Sequence, residues 1–164
     1  MGVQGIGKST IGEMLADRLD VPFVDGDTLH SERNVELMAS GTPLTDTDRA
    51  PWLAAIGAVL VEHAARKGVV VACSALRREY RDLLRTHDPS VYFVEPWGPI
   101  ELIRERISGR THEYMPPTLL QSQYDTLEPL TADERGIRVS VRETPDQIVA
   151  EVTRDYLAQA GAEA

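Results

Sequence analysis

The chain has 164 residues, of which 42% are hydrophobic, and this size and composition favour one domain, residues 1–164, with a sizeable core. Its 17 Lys and Arg residues stand against 26 Asp and Glu residues, and the net charge of −9 argues against general affinity for nucleic acids or anionic membranes. The single cysteine, Cys73, excludes an intramolecular disulfide and favours a reducing cytoplasm, and no apolar run is long enough to span a bilayer.

A glycine-rich loop opens the chain: GVQGIGKS, over residues 2–9, matches the pattern G-x-x-x-x-G-K-[ST] in full. Backbone N–H groups of such a loop surround phosphates, and the helix that follows adds its positive amino end. Lys8 is expected to reach the outer phosphates of ATP, and Ser9 to supply a hydroxyl to Mg²⁺. The predicted nucleotide-binding residues are Gly2, Val3, Gln4, Gly5, Ile6, Gly7, Lys8, Ser9 and Thr10.

A loop of this kind normally follows a buried strand, yet only Met1 precedes Gly2 in the sequence. A strand of about five residues is therefore missing from this position. Either residues upstream supply it, or the sheet lacks this strand. The first alternative is favoured, because an empty position in a parallel sheet leaves backbone groups of both neighbouring strands unpaired.

Helical and strand patterns alternate along the rest of the chain, which predicts an α/β fold with a parallel sheet and crossover helices. Strands are expected at VPFV (21–24), VVVAC (69–73), VYFVE (91–95) and 137–141. Helices are expected after the loop, from Ser31 to Ser40, over TDTDRAPWLAAIGAVLVEHAARKG, and over residues 75–85, 100–108, 118–127 and 145–159.

The first of these strands is followed by DGD, which places Asp25 and Asp27 at a strand's carboxyl end, where open α/β sheets bind ligands. Asp25 is predicted to hold Mg²⁺ with Ser9, and Asp27 to accept the proton of a substrate hydroxyl. A turn rich in Asp and Gly is the alternative, which the nearby phosphate loop disfavours. GTPases usually read guanine through an N-K-x-D element. The only Asn of the sequence, Asn34, lies in NVEL, so that class is excluded in its usual form.

A segment without strong periodicity, ERISGRTHEYMPP, is framed by Gly109 and a Pro pair and predicts a mobile lid at about residues 106–127. Arg106 and Arg110 would then face the ATP phosphates and neutralise charge in the transition state. Ordinary surface charge is the alternative interpretation of these two arginines.

Four blocks of the chain resemble successive blocks of the thermoresistant gluconokinase family. They are GVQGIGKST, DGDTLHSERNVELMASGTPLTDTDRAPWL, CSALRREYRDLLR and LLQSQYDTLEPLTADERG, and they cover the chain from Gly2 to about Val141. The resemblance implies ATP-dependent phosphorylation of D-gluconate at its 6-hydroxyl. It also implies a fold related to shikimate kinase, with five parallel strands in the order 2-3-1-4-5, and often a homodimer.

Carried over by position, the resemblance makes Asp27 the base and a substrate ligand, and makes His30, Arg49 and Arg81 candidates for gripping gluconate. Arg77 joins them, because it lies one helical turn before Arg81 just after a predicted strand. The planar fork of an arginine suits a carboxylate, although a solvated helix face remains the alternative for each arginine.

The chain departs from the family pattern within the lid. After the lid arginine the family usually has Gly-His-Phe, whereas this chain has THEYM, so the roles of His112 and Glu113 stay open. Two other functions also stay open: a P-loop kinase for another acceptor, such as shikimate or a nucleoside monophosphate, and a non-catalytic nucleotide-binding module. The DGDTLH run and Arg49 favour gluconate, and the intact set of predicted catalytic residues argues against the binding module.

Overall fold

The computed structural model describes residues 1–108 and 117–162, where helices alternate with short strands as the sequence predicts. The strands are β1 (Phe23–Asp25), β2 (Val70–Ala72), β3 (Phe93–Trp97) and β4 (Gly136–Ser140). The helices are α1 (Lys8–Leu19), α2 (Glu32–Ala39), α3 (Asp46–Ala64), α4 (Arg78–His87), α5 (Ile100–Ser108), α6 (Pro117–Thr126) and α7 (Pro145–Ala162), and a 3₁₀ turn (Gly26–Leu29) follows β1. The predicted α/β class is confirmed.

The four strands form two parallel pairs, β1 with β2 and β3 with β4. The amino end of the chain lies between the pairs: the Met1 ammonium donates to the Val94 carbonyl at 2.6 Å, and Gly2 N–H donates to the Ser74 carbonyl at 2.9 Å. Met1 and Gly2 therefore stand where the predicted order 2-3-1-4-5 has its first strand. In the described ranges they form no strand of their own, so four strands are observed where five are expected.

An apolar cavity of about 530 Å³ lies between β2 and β3, with Met1 among its lining residues. Its walls include Ile11 and Leu15 of α1 and the facing edges of the two strands. Because the two strand pairs do not bond to each other, helix packing carries much of the connection between them: α1 contacts β2 on one side and α7 on the other. The helix that follows the phosphate loop is thus fixed against both halves of the fold.

Two helix starts, those of α2 and α3, follow local capping rules. Ser31 accepts a hydrogen bond from Asn34 N–H at the start of α2, and Thr45 and Asp48 form a reciprocal capping box at the start of α3. The predicted helix over residues 75–85 instead begins at Arg78, because Ala75 has a φ of 37°, which a right-handed helix cannot include.

Apolar side chains on both faces of the strands form the core, and Cys73 is buried within it. Trp52, Ile56 and Leu84 join α3 to α4, whereas Ile11 of α1 packs with Ile148 of α7 on the other face. None of the helices in the described residues combines the length and apolar character needed to cross a bilayer. The layers leave the phosphate loop and the turn after β1 at the carboxyl edge of the strands.

Candidate active site

The phosphate loop has the backbone conformation that its glycines predict. Gly2, Gly5 and Gly7 have φ values of 137°, 70° and 104°, in the region where other residues are strained. A Cβ on Gly5 would also lie 2.5 Å from Ile107 Cγ1, so the approach of α5 requires glycine there as well. The glycines therefore shape the loop and let α5 pack against it.

No side chain caps the amino end of α1. Gly7 occupies the N-cap position without a side-chain hydrogen bond, and the first turn contains no acidic residue. The first N–H groups of such a helix carry partial positive charge and bind anions. Val3 and Ile6 are only 2% and 1% exposed, so these residues can offer a ligand little beyond their backbone groups. The Lys8 ammonium donates to the Val3 carbonyl at 3.0 Å and lies along the same loop.

The turn after β1 brings a carboxylate towards the phosphate loop. Asp25 Oδ1 accepts from Asp27 N–H at 3.0 Å, and Asp25 Oδ2 lies 3.5 Å from Ser9 Oγ, at the outer limit of a hydrogen bond. Two oxygen ligands this close, on different elements, suit a hard cation such as Mg²⁺. Among the described residues no group of three or more His, Cys, Asp or Glu side chains could hold a metal. Water and phosphate oxygens would have to complete the coordination.

Asp27 is exposed on the same turn, and its carbonyl accepts from His30 N–H at 3.3 Å. The buried thiol of Cys73, just after β2, reports on its neighbours: burial raises the pKa of Cys73, the nearby Lys8 lowers that pKa and Asp27 raises it. Lys8 of the phosphate loop and Asp27 of the turn therefore both affect this one thiol. The direct contact between the phosphate loop and this part of the chain is that of Ser9 with Asp25.

Trp52 holds the DGD turn from α3. Its indole N–H donates to the Gly26 carbonyl at 2.7 Å. The His30 ring stacks on the indole, with centroids 4.5 Å apart and 9° between the ring planes. The backbone between the two aspartates is therefore anchored to a buried aromatic ring, which fixes where their carboxylates begin.

The His30 ring, stacked on Trp52, lies beside the aspartate turn. Burial lowers the pKa of His30, while the neighbouring Asp27 raises it and Arg49 lowers it. A lowered pKa favours the neutral form of the ring. Its Nδ1 lies 3.4 Å from Asn34 Nδ2, and the same Nδ2 donates to the Asp48 carbonyl at 2.8 Å. Asn34 therefore links the His30 ring to the backbone of α3.

Two of the predicted substrate arginines meet on one aromatic ring. The Cζ atoms of Arg49 and Arg77 lie 5.9 and 5.7 Å from the centroid of Tyr80. Arg77 Nη1 pairs with Asp46 at 3.1 Å and with Glu79 at 3.0 Å, and the Tyr80 hydroxyl donates to Asp46. Across the ranges that the structure describes, the Arg49 guanidinium forms no hydrogen bond or ion pair, so its donors remain available to an anion.

Arg81 does not join this pair. Its side chain is fully buried, with Nε and Nη2 donating to the two carboxylate oxygens of Glu134 at 2.6 and 2.8 Å. Its Nη1 donates to the Glu128 carbonyl at 3.0 Å. Arg77 and Arg81 diverge because Arg77 is the N-cap of α4 and reaches outwards, whereas Arg81 points inwards. The expectation that Arg81 grips a substrate does not fit this bonding, which gives it a structural role.

The predicted lid arginines are described in part. Arg106 is exposed on α5, and its Nη2 donates to the Val141 carbonyl at 2.7 Å, just after β4. Arg110 lies outside the described residues, as do His112 and Glu113. Their roles stay predictions from the sequence.

The sequence patterns miss two residues beside the site. The apolar stripe of α3 gives Trp52 a core position but not its bond to Gly26. No pattern singles out Gln123 in α6, whose Oε1 accepts from Gln4 N–H at 2.6 Å. Each bond joins residues far apart in the chain, 26 positions in the first case and 119 in the second, so no local signal precedes it.

One family model and several known proteins match this chain over most of its length. The family model described as shikimate kinase matches residues 4–156. The gluconokinase of Gluconobacter oxydans (strain 621H) is 44% identical over 160 residues, which cover 97% of this chain and 90% of that protein. The thermoresistant gluconokinase of Escherichia coli (strain K12) is 41% identical over 140 residues, which cover 85% of this chain and 80% of that protein.

A gluconokinase and a shikimate kinase are also among the solved structures that resemble this chain. The crystal structure of a gluconokinase from Sinorhizobium meliloti 1021 has a TM-score of 0.91 and 44% identity, over 99% of this chain and 91% of that one. Shikimate kinase from Aquifex aeolicus has a TM-score of 0.65 and 18% identity, over 98% of this chain and 95% of that one. The second likeness is one of fold alone.

Proposed function

The chain belongs to the shikimate kinase family and, within it, to the gluconokinases, and we propose that it transfers the terminal phosphoryl group of ATP to the 6-hydroxyl of D-gluconate. The observation that carries this proposal is the approach of the phosphate loop to the aspartates at the end of β1, where Ser9 Oγ lies 3.5 Å from Asp25 Oδ2. The amino end of α1 has no side-chain cap, and Arg49 on α3 has donors available to an anion.

The nucleotide site consists of the loop backbone, Lys8 and the amino end of α1. Kinases of this family use ATP with Mg²⁺. Ser9 Oγ and Asp25 Oδ2, which face each other across 3.5 Å, are the residues that would hold the ion. When bound, Mg²⁺ neutralises charge on the phosphates. The lysine ammonium and the helix N–H groups add positive charge where the leaving oxygens become more negative.

Asp27 is the proposed base. As the 6-oxygen of gluconate bonds to the terminal phosphorus and the bond from that phosphorus to ADP breaks, the Asp27 carboxylate takes the hydroxyl proton. Its backbone N–H is bonded to Asp25 Oδ1, and the preceding Gly26 carbonyl is bonded to Trp52. The base is thus held on a turn that two other elements position.

The protein must contact the acceptor, gluconate, at two separate points, because its carboxylate and its 6-hydroxyl lie at opposite ends of a six-carbon chain. Arg49 and Arg77, on the ring of Tyr80, are proposed to bind the carboxylate. The imidazole of His30, which stacks on Trp52 beside the two aspartates, is proposed to bond an intervening hydroxyl.

A coupled ADP-release assay against gluconate, shikimate, AMP and related sugar acids tests this function. We expect ATP consumption that depends on gluconate alone. Turnover with another acceptor only would reassign the substrate, and nucleotide binding without any turnover would favour a binding module. The assay is run with and without Mg²⁺, and we expect activity only with the ion.

The proposal also covers the lid, the domain organisation, the oligomeric state and the compartment. Arg106 and Arg110 are proposed to neutralise phosphate charge from a lid, and one domain is proposed to span residues 1–164. A cytoplasmic homodimer without nucleic-acid or membrane partners is proposed from the family resemblance, the single cysteine and the net charge of −9. Light scattering at several protein concentrations would test the homodimer.

A further inference from the structure

The peptide bond between Val3 and Gln4 is held from both sides. The Lys8 ammonium donates to its carbonyl oxygen at 3.0 Å, and its N–H donates to Gln123 Oε1 at 2.6 Å. In a trans peptide the C=O and N–H groups point in opposite directions and share one rigid plane. Lys8 and Gln123 therefore contact opposite edges of the same plane, and a rotation of that plane would disturb both contacts.

Helix α6 presents Gln123 from a docked position. Leu120, one turn earlier, is buried in the same cluster as Val3 and Ile6 of the phosphate loop. Tyr124, the next residue, donates through its hydroxyl to the Gly98 carbonyl at 3.0 Å. Because packing holds the helix on both sides of Gln123, the carboxamide reaches the loop from a rigid element.

The chemistry of the side chain gives Gln123 a defined orientation. Oε1 is the only acceptor of a glutamine side chain, so it must face the Gln4 N–H. Gln121 on the same helix provides a contrast, because it is exposed and, among the described residues, bonds to the surface partners Arg104 and Asp125 at 2.9 Å each. Two glutamines of one helix thus differ in whether they touch the phosphate loop.

We propose that Gln123 is a positioning residue for nucleotide binding. By holding the Val3–Gln4 peptide, it fixes the carbonyl that receives Lys8, and so it keeps the lysine ammonium where the outer phosphates bind. The inference rests on the proposed nucleotide site but not on the identity of the acceptor. It can therefore be tested by binding alone.

The test is a double-mutant cycle between Gln123→Met and Lys8→Met, with affinity for a non-hydrolysable ATP analogue measured by calorimetry in the presence of Mg²⁺. We expect Gln123→Met to weaken binding about five- to tenfold, the loss that follows from removing one hydrogen bond. In the Lys8→Met background the same change is expected to weaken binding less than twofold. Gln121→Met, the matched control, is expected to leave the affinity unchanged.

An equal loss in both backgrounds, or no loss in the first, would overturn the proposal. Thermal unfolding of each variant checks folding, and Gln123→Asn, too short to reach the loop, replaces Gln123→Met in the cycle if that variant does not fold. The outcome is independent of the gluconate assay. Coupling between Gln123 and Lys8 without gluconate turnover would refute only the proposed function, and turnover without coupling would refute only this inference.

Discussion

The two regions proposed to bind anions are built in opposite ways. The phosphate loop offers backbone groups from consecutive residues, 2–9, and its shape follows from glycine backbone angles. The acceptor region draws side chains from separate helices, with Arg49 on α3 and Tyr80 on α4, and Arg77 at the start of α4. The loop can be recognised from one stretch of sequence, whereas the acceptor region exists only after the helices have packed.

The arginines near α4 show how much depends on that packing. Arg77, Arg78 and Arg81 are close in sequence, yet each pairs with a different carboxylate far along the chain: Asp46, Asp133 and Glu134. Burial separates them further, because only the pair of Arg81 is fully enclosed. The role of each arginine therefore depends on which carboxylate it pairs with and how buried that pair is. The following predictions test this contrast.

The largest expected effect is at the point where the two regions meet. Asp27→Asn removes the proposed base but keeps the backbone N–H bonded to Asp25, so kcat should fall by about 10²–10⁴ while ATP affinity stays within about twofold. Steady-state kinetics and calorimetry measure the two quantities. Asp17→Asn, an exposed carboxylate on α1, is the control. An unchanged kcat would remove Asp27 from this role.

Arg81→Met should act on stability instead of substrate binding. Removing one partner of an enclosed ion pair leaves Glu134 buried and unpaired, so the free energy of unfolding should fall by about 3–5 kcal/mol in urea titrations. The gluconate KM of the folded enzyme should stay within about twofold. Arg85→Met, whose partner Asp82 is half-exposed on the same helix, should cost less than about 1 kcal/mol. A raised KM with unchanged stability would instead make Arg81 a substrate residue.

Arg49→Met should act on the acceptor alone. Losing a charged hydrogen bond to the gluconate carboxylate should raise the gluconate KM about 10- to 100-fold and leave the ATP KM within about twofold. Initial-rate kinetics with each substrate varied in turn measure both values. Arg33→Met, an exposed arginine on α2, should change neither. An equal rise in both KM values would mean that Arg49 shapes the whole site.

The smallest expected effect is a pH dependence at His30, beside the aspartate turn. Burial lowers its pKa below the ordinary value of 6.5, so below that pH the unfolded chain binds a proton more readily than the folded protein. This contribution to stability is complete above about pH 6.5 and is lost as the pH falls towards the folded pKa. Tm should therefore fall less from pH 7 to 5 in His30→Gln than in the wild type. Parallel curves would exclude the effect.

Much of this protein is determined by local sequence. The phosphate loop, the α/β alternation and the caps of α2 and α3 follow from residues that are neighbours in the chain. The observed fold departs from the prediction where a distant contact or a backbone angle intervenes. One case is α4, which begins at Arg78 because of the positive φ at Ala75. Another is the position between β2 and β3, where Met1 and Gly2 bond to both sides.

Only the tertiary structure decided which polar groups work together. The bond between Gln123 and Gln4, the stacking of His30 on Trp52 and the ion pair of Arg81 with Glu134 all join residues that no spacing rule relates. The physical reason is one of range. Backbone angles and helix caps depend on adjacent residues, whereas a charged or hydrogen-bonding side chain takes its partner from whatever the folded chain brings within about 3 Å.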